Sequence, residues 1–350
     1  MFRLKNNGCA LLALAAMLLS SCTRDDRAAL PSPAITYQVV RTASKADGTG
    51  TYDTDCPFVT WAWYLPENSA WNGSAESAKL YIPAETVSHR NGSWTTDSPY
   101  YWPPTGSLTF MSLSPATLGT EAECTADEGI ILKQYDISSR QETDLMVADV
   151  ASDRTSNPVP TVFRHKLSRV TGFSINTDKD YSITGQDGTH LKGSKRFFIN
   201  GISILGLNST GTFKSGANTG AASPGEWSSL ASPKDFSWAG TPATEIAWSQ
   251  EGTEIPGNGP GYIAVIPQTL TSQSILIEYT IRTYYDDSAP GSDGNFSEEK
   301  IIEQVALSSL MPAFAVNTRV AFSITIGLDK MNWSADVQDW DDRQGSDTTI

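Results

Sequence analysis

The chain predicts an all-β fold built from antiparallel β-sandwich domains, and three observations predict it. Apolar and polar residues alternate in short runs, helical periodicity is almost absent, and turn-forming dipeptides punctuate the runs. Alternation at period two turns one strand face to a core and the other to solvent, which describes an antiparallel sheet with one wet side. Many short strands with frequent turns favour sandwiches over parallel α/β units.

The clearest run lies between Ser274 and Tyr285. Ile275, Ile277, Tyr279, Ile281, Thr283 and Tyr285 fall on one face, with Ser274, Glu278, Thr280 and Arg282 opposite and Leu276 as the exception. A second run places Val320, Phe322, Ile324, Ile326 and Leu328 on one face against Ala321, Ser323, Thr325 and Gly327. Ile35, Tyr37 and Val39 form a shorter example. Turns are expected at Asp47-Gly48, Asn72-Gly73, Asn91-Gly92, Asp187-Gly188 and Pro290-Gly291, where glycine and its neighbours tolerate left-handed backbone.

The first residues read as an export signal. Arg3 and Lys5 precede an apolar stretch from Cys9 to Leu19, too short to cross a hydrocarbon core of about 30 Å at about 1.5 Å per residue. Leu19, Ser20 and Ser21 then lead to Cys22 in the pattern of a bacterial lipobox, whose cysteine is acylated and becomes the mature N-terminus. This makes residues 1–21 a signal peptide, and acyl chains at about 0.8 kcal/mol per buried methylene anchor the rest to a membrane. Thr23-Arg24-Asp25-Asp26 is similar to the acidic tag that sorts some lipoproteins to the outer face of the outer membrane. The expected location is therefore the cell surface.

Composition fits an exported chain. It carries 25 basic and 39 acidic residues, a net charge of −14, and loss of Arg3 and Lys5 with the signal makes this −16. Such a charge repels nucleic acid, and no basic, aromatic-rich stripe opposes it. About 330 mature residues exceed what one core organises, so two domains are expected. Residues 22–33 read as an acidic tether, 34–160 and 161–340 as two sandwiches, and 341–350 as a polar tail. The boundary falls in Ser152–Pro160, polar with two prolines. Four cysteines reduce to Cys56 and Cys124 once Cys9 leaves and Cys22 is acylated. In an oxidising compartment they form either a disulfide, which would contribute about 4–5 kcal/mol, or two free thiols.

Signals for catalysis are sparse. His89, His165 and His190 are not at metal-ligand spacing, and no nucleophile elbow or phosphate-binding glycine loop occurs at a strand-to-helix turn. His165, in the run Phe163, His165, Leu167, reads as a sheet residue with a satisfied ring. Asp178, Asp180 and Asp187 cluster, as do Asp286, Asp287, Asp293 and Glu298, but neither set has the order of a calcium loop. They read as acidic turns, so no catalytic residue, metal or cofactor is assigned. Ten tryptophans suggest either sandwich core or stacking platforms for sugars. Trp61 and Trp63 share one strand face, while Trp71, Trp94 and Trp102 lie near loop residues.

Several segments together carry a family resemblance. They are Tyr101-Trp102-Pro103-Pro104 with Gly106-Ser107-Leu108-Thr109-Phe110 and Ser114-Pro115, then Asp144-Leu145-Met146-Val147-Ala148, then Val162-Phe163-Arg164-His165-Lys166-Leu167-Ser168-Arg169-Val170. Ile266-Pro267-Gln268-Thr269-Leu270 and Val337-Gln338-Asp339-Trp340 follow in order. The chain resembles the fimbrillin family, lipoprotein-derived subunits and accessory proteins of surface fibres. The resemblance implies two transthyretin-like β-sandwich domains, no catalytic site, and partnership with other fimbrial subunits by strand addition. In that mechanism a subunit's first strand is cut away at an arginine and a neighbour's strand replaces it. Ile35-Thr36-Tyr37-Gln38-Val39-Val40 is the corresponding first strand and Arg41 the candidate processing site. The opposite reading is an ordinary first strand ending at a surface arginine. Asp341 to Ile350 is too polar for a donor strand, which favours an anchor, tip or accessory subunit over a stalk subunit. The alternative function is a surface glycan-binding lipoprotein that captures sugars for an uptake system, with a host or glycan ligand as its partner.

Overall fold

The computed structural model describes residues 32–42, 49–72, 76–218, 225–288 and 294–340. The lipobox Leu19, Ser20, Ser21 and Cys22, the acidic tag and the tail 341–350 lie outside the described residues. Strands dominate what is described, and the helical pieces among it are three short 3-10 turns.

The first half contributes β1 (Tyr37–Thr42), β2 (Thr49–Gly50), β3 (Phe58–Leu65), β4 (Lys79–Arg90), β5 (Ser93–Thr96) and β6 (Ser107–Ser114). It continues with β7 (Ala122–Thr125), β8 (Gly129–Asp136), β9 (Met146–Ala148), β10 (Ala151–Arg154) and β11 (Val159–His165). Pairing runs β6-β3-β4-β5-β1-β11-β9 and returns from β9 to β6, with β10 beside β9 on the edge of β6 opposite β3. The path closes on itself around an aromatic core of Tyr37, Tyr52, Phe58, Trp94, Phe110 and Phe163. Closure leaves these seven strands paired on both sides, so they offer few free backbone groups. Asn91-Gly92 makes the β4–β5 hairpin, as its sequence predicts: Arg90 pairs with Ser93, and both turn residues have positive φ, 51° and 79°.

The second half contributes β12 (Ser168–Thr177), β13 (Lys195–Lys214), β14 (Glu226–Ala239), β15 (Thr244–Ile246), β16 (Thr253–Glu254) and β17 (Ile263–Val265). Then come β18 (Gln268–Thr269), β19 (Ser274–Tyr284), β20 (Phe296–Ala306), β21 (Ala313–Phe314), β22 (Thr318–Ile326) and β23 (Met331–Asp339). One sheet runs β16-β12-β22-β23, and another runs β20-β19-β13-β8-β7 with β14 and β15 also on β13. Phe173, Ile175, Phe322 and Ile324 from the first meet Phe197, Ile199, Ile277 and Ile281 from the second in a single core. Two sheets burying alternating side chains against each other are what the period-two runs foretell.

Three details depart from simple alternation. Pairing is mostly antiparallel, but β1 pairs parallel with β11 and β12 pairs parallel with β22. Each parallel pair joins strands far apart in sequence, the long connection that parallel geometry requires. In β19 the inward set ends at Ile281: Tyr284 is buried and Tyr285 exposed. The reason is that His190, from the 178–194 segment, stacks on Tyr284 with ring centroids 4.9 Å apart. Leu328, expected inward, is exposed because β22 stops at Ile326.

β13 is long enough to serve two cores. Lys195 to Leu205 pair with β19, and Thr210 to Lys214 pair with β8. Phe213, near its end, joins a third core with Trp61, Leu113, Leu132, Tyr135 and Trp340. That core draws on both halves of the chain.

Candidate assembly site

The candidate site is the slot occupied by β1. The strand lies between β5 and β11, with Tyr37 opposite Trp94 on one side and Val159 on the other. The parallel ladder continues Gln38 to Pro160, Val39 to Thr161, Val40 to Val162 and Arg41 to Phe163. Ile35 and Tyr37 face inward and are 2% and 5% exposed, while Val39 is half-buried on the same side. The Tyr37 ring meets Phe58 and Phe110 edge-on at centroid distances of 5.8 and 5.9 Å. Burial raises the Tyr37 phenol well above its ordinary pKa, so it stays neutral. Burying Ile35 stabilises the strand by about 1.5–3 kcal/mol.

Asn157 fastens the entry to the strand. Its Oδ1 accepts from the Thr36 amide at 2.9 Å and from the Trp102 indole at 2.9 Å, and its Nδ2 donates to the Ala34 carbonyl at 2.7 Å. The Ile35 amide donates to the Tyr100 carbonyl and the Val159 amide to the Thr36 carbonyl, both at 2.8 Å. A polar stretch that reads in sequence as a linker thus holds the clamp of the first strand. Sequence reasoning misses Asn157, and its one signal is an Asn-Pro step just before a strand. Tyr52 is also missed: it closes the other end, stacking on Phe163 at 4.9 Å and meeting Ser114 Oγ through its hydroxyl at 2.6 Å.

Arg41 sits at the end of β1, half-buried, paired to Phe163 on one side and Gly50 on the other. A protease needs an extended, unpaired segment, so cutting after Arg41 requires the strand end to peel from β2 and β11.

Cys56 and Cys124 are both free thiols against different cores. Cys56 Sγ lies 3.7 Å from Ser114 Oγ, and Cys124 Sγ lies 3.7 Å from Met111 Sδ. The structure does not bring them together. Burial pushes the Cys124 thiol up to about 12.

The described members of the acidic clusters serve turns and ion pairs, and Asp293 lies outside the described residues. Asp180 and Asp187 accept from the amides of Ser182 and Thr189, Asp287 accepts from the Lys192 amide, and Glu298 pairs with Arg282. Among the described residues no three His, Cys, Asp or Glu side chains form a metal-sized group.

Three of the dispersed motif segments meet in space. His165 is fully buried, its Nδ1 is 2.9 Å from Asp144 Oδ1, and its ring stacks on Trp340. Arg169 lies over Trp340 at 3.9 Å and over Tyr262 at 4.0 Å. Gln268 is buried and accepts from the Asn208 amide at 3.0 Å. These contacts hold the fold together rather than line an opening.

The chain is all-β, with its first strand embedded between β5 and β11 in a closed set of seven and with dispersed motif segments spent on packing. The chain belongs to the fimbrillin-like family, whose sequence profile matches residues 69–340. Among solved structures it is similar to a fimbrial protein from Bacteroides vulgatus, at TM-score 0.61 and 15% identity, covering 89% of this chain and 100% of that one. It also resembles a candidate cell adhesion protein from Parabacteroides distasonis, at TM-score 0.50 and 10% identity over 90% of this chain and 99% of the other. The likeness to the fimbrial anchor protein Mfa2 from Porphyromonas gingivalis covers 88% and 97% of the two chains, at TM-score 0.32 and 12% identity. No curated protein sequence matches. Fimbrial proteins are components of cell-surface appendages, and this family is a structural one.

Proposed function

We propose that the protein is a non-catalytic, surface-exposed outer-membrane lipoprotein that joins other fimbrial subunits by strand addition, as an anchor, tip or accessory subunit. The observation that carries this reading is the position of β1. A strand with both edges paired and with Ile35 and Tyr37 in the aromatic core leaves a slot of matching shape when it departs. The slot would expose the β5 and β11 edges together with pockets over Phe58 and Phe110, and an incoming strand satisfies both main chain and side-chain pockets. Arg41 stands at the strand's end, where a cut would free it.

The lipid anchor at Cys22 rests on the lipobox. The non-stalk reading rests on the polar segment 341–350 and on β23. One face of that edge strand exposes Asn332, Ser334, Asp336 and Gln338, a polar row that discourages further pairing, with Val337 and Asp339 exposed on the other face. Residues 22–33 act as the acidic tether, and 34–160 and 161–340 serve as the two sandwich domains, joined through β13.

Intact mass and N-terminal sequencing of the protein recovered from its native cell surface test the proposal. A chain beginning at acylated Cys22 supports the anchor role, and one beginning at Thr42 supports a subunit whose slot a partner fills. A non-acylated chain that retains β1 and co-purifies with no other surface protein would overturn it.

A further inference from the structure

All ten tryptophans lie among the described residues, and Trp248 is the one that is exposed, at 50%. Exposing an indole forgoes the burial that the other nine obtain fully or in part. Its segment is nonetheless held firmly. The Asn176 side chain donates to the Ser249 carbonyl at 2.6 Å and accepts from the Ser249 amide at 3.2 Å, and Ser249 Oγ accepts from the Gly252 amide at 2.8 Å. Trp248 is thus presented on a pinned loop following β15.

Beside it opens a cleft of about 250 Å³, lined also by Asp180, Tyr181, His190, Arg196 and Glu245. Arg196 is already neutralised by an ion pair with Glu245, and it donates to the Tyr284 hydroxyl at 3.0 Å. Lys195, also lining the cleft, donates to Thr283 Oγ1 at 2.8 Å. Two carboxylates against these two cations leave the cleft close to neutral, which disfavours an acidic ligand. The buried Nδ1 of His190 has no hydrogen-bond partner. A flat apolar face rimmed by charged acceptors and donors matches a molecule with a C–H face and a ring of hydroxyls. The volume falls below the roughly 300–1,000 Å³ of a drug-sized site, so it accommodates one ring with its neighbours in solvent.

We propose that this cleft binds one ring of a neutral saccharide, stacked on the Trp248 indole, with the Asp180 and Glu245 carboxylates accepting from its hydroxyls. The proposal is independent of strand exchange, because the cleft shares no residue with the β1 slot.

Titration of the purified full chain with methyl glycosides of glucose, galactose, mannose and N-acetylglucosamine, and separately with sialic acid, tests it by tryptophan fluorescence in the parent and by isothermal titration calorimetry in parent and variants alike. At least one neutral glycoside is expected to give a saturable change. Trp248→Ala should weaken that binding about tenfold, while Trp248→Phe, which keeps an aromatic face, should retain most of it. Thermal unfolding of both variants should match the parent, because the side chain is exposed. No saturation by any neutral sugar, binding of sialic acid alone, or binding unchanged in Trp248→Ala would each overturn the proposal.

Discussion

The imidazole of His165 lies flat on the indole of Trp340, with ring centroids 4.1 Å apart and planes 3° from parallel. One ring comes from the end of β11 and the other from the residue after β23. The contact ties the middle of the chain to its last described residue, and the Arg169 guanidinium also lies over the indole. Trp340 is 2% exposed, so Trp340→Ala should cost about 3–5 kcal/mol. Urea unfolding is the check, and a midpoint equal to the parent's would show that the stack contributes nothing.

Asn157→Ala removes three hydrogen bonds from the entry to β1, one of them to the Thr36 amide, 121 residues away. A loss of about 1–3 kcal/mol is expected, concentrated locally. Hydrogen exchange of residues 33–40 should quicken well before the rest of the protein responds. Equal exchange in parent and variant would mean that the clamp is dispensable.

Arg41→Ala bears on processing. In the native host the variant should keep residues 22–41 on the surface form, read by N-terminal sequencing, and should co-purify with fewer fimbrial partners if the cut precedes assembly. Recovery of the same N-terminus from parent and variant would place processing elsewhere.

Lys166 gives the protein a pH signature. It is 3% exposed, and burial pushes its ammonium down to about 8 from 10.5. Between pH 8 and 10.5 the unfolded chain therefore binds more protons than the folded one at this position, so this group's contribution to stability rises with pH there. The full penalty, about 3 kcal/mol, applies below pH 8. Cys124, raised from 9.0 to about 12, acts in the opposite sense between those two values. The difference between the parent and Lys166→Met isolates the lysine: it should narrow as pH climbs from 8 to 10. A difference constant over that range would contradict the assignment.

In a recombinant chain starting at Thr23, Cys56 and Cys124 should both alkylate with iodoacetamide in denaturant without reductant, seen as two carbamidomethyl additions by mass. Cys124 should react slowly in the native state, because its thiolate is disfavoured. A native chain two mass units lighter and inert to alkylation would indicate a bridge.

The strand inventory was legible because alternation is local. Val320, Phe322, Ile324 and Ile326 turn inward as their spacing requires, and Asn91-Gly92 turns where only left-handed backbone fits. The slot was half legible. Ile35, Tyr37 and Arg41 stand out in sequence, whereas Asn157 looks like any polar linker residue. Trp248 was not legible at all, since nothing local separates it from nine tryptophans that pack inward to varying degrees.

By itself, then, the amino-acid sequence determined an all-β chain, its turns, and the motif segments of the fimbrillin-like family, because each depends on side-chain order over a few residues. Tertiary structure alone decided that β1 pairs parallel with β11, that Asn157 holds it, that His165 meets Trp340, and that Cys56 and Cys124 stay apart. Those outcomes depend on which strands satisfy each other's backbone groups across more than a hundred residues, and on which side chains the resulting cores have room to bury.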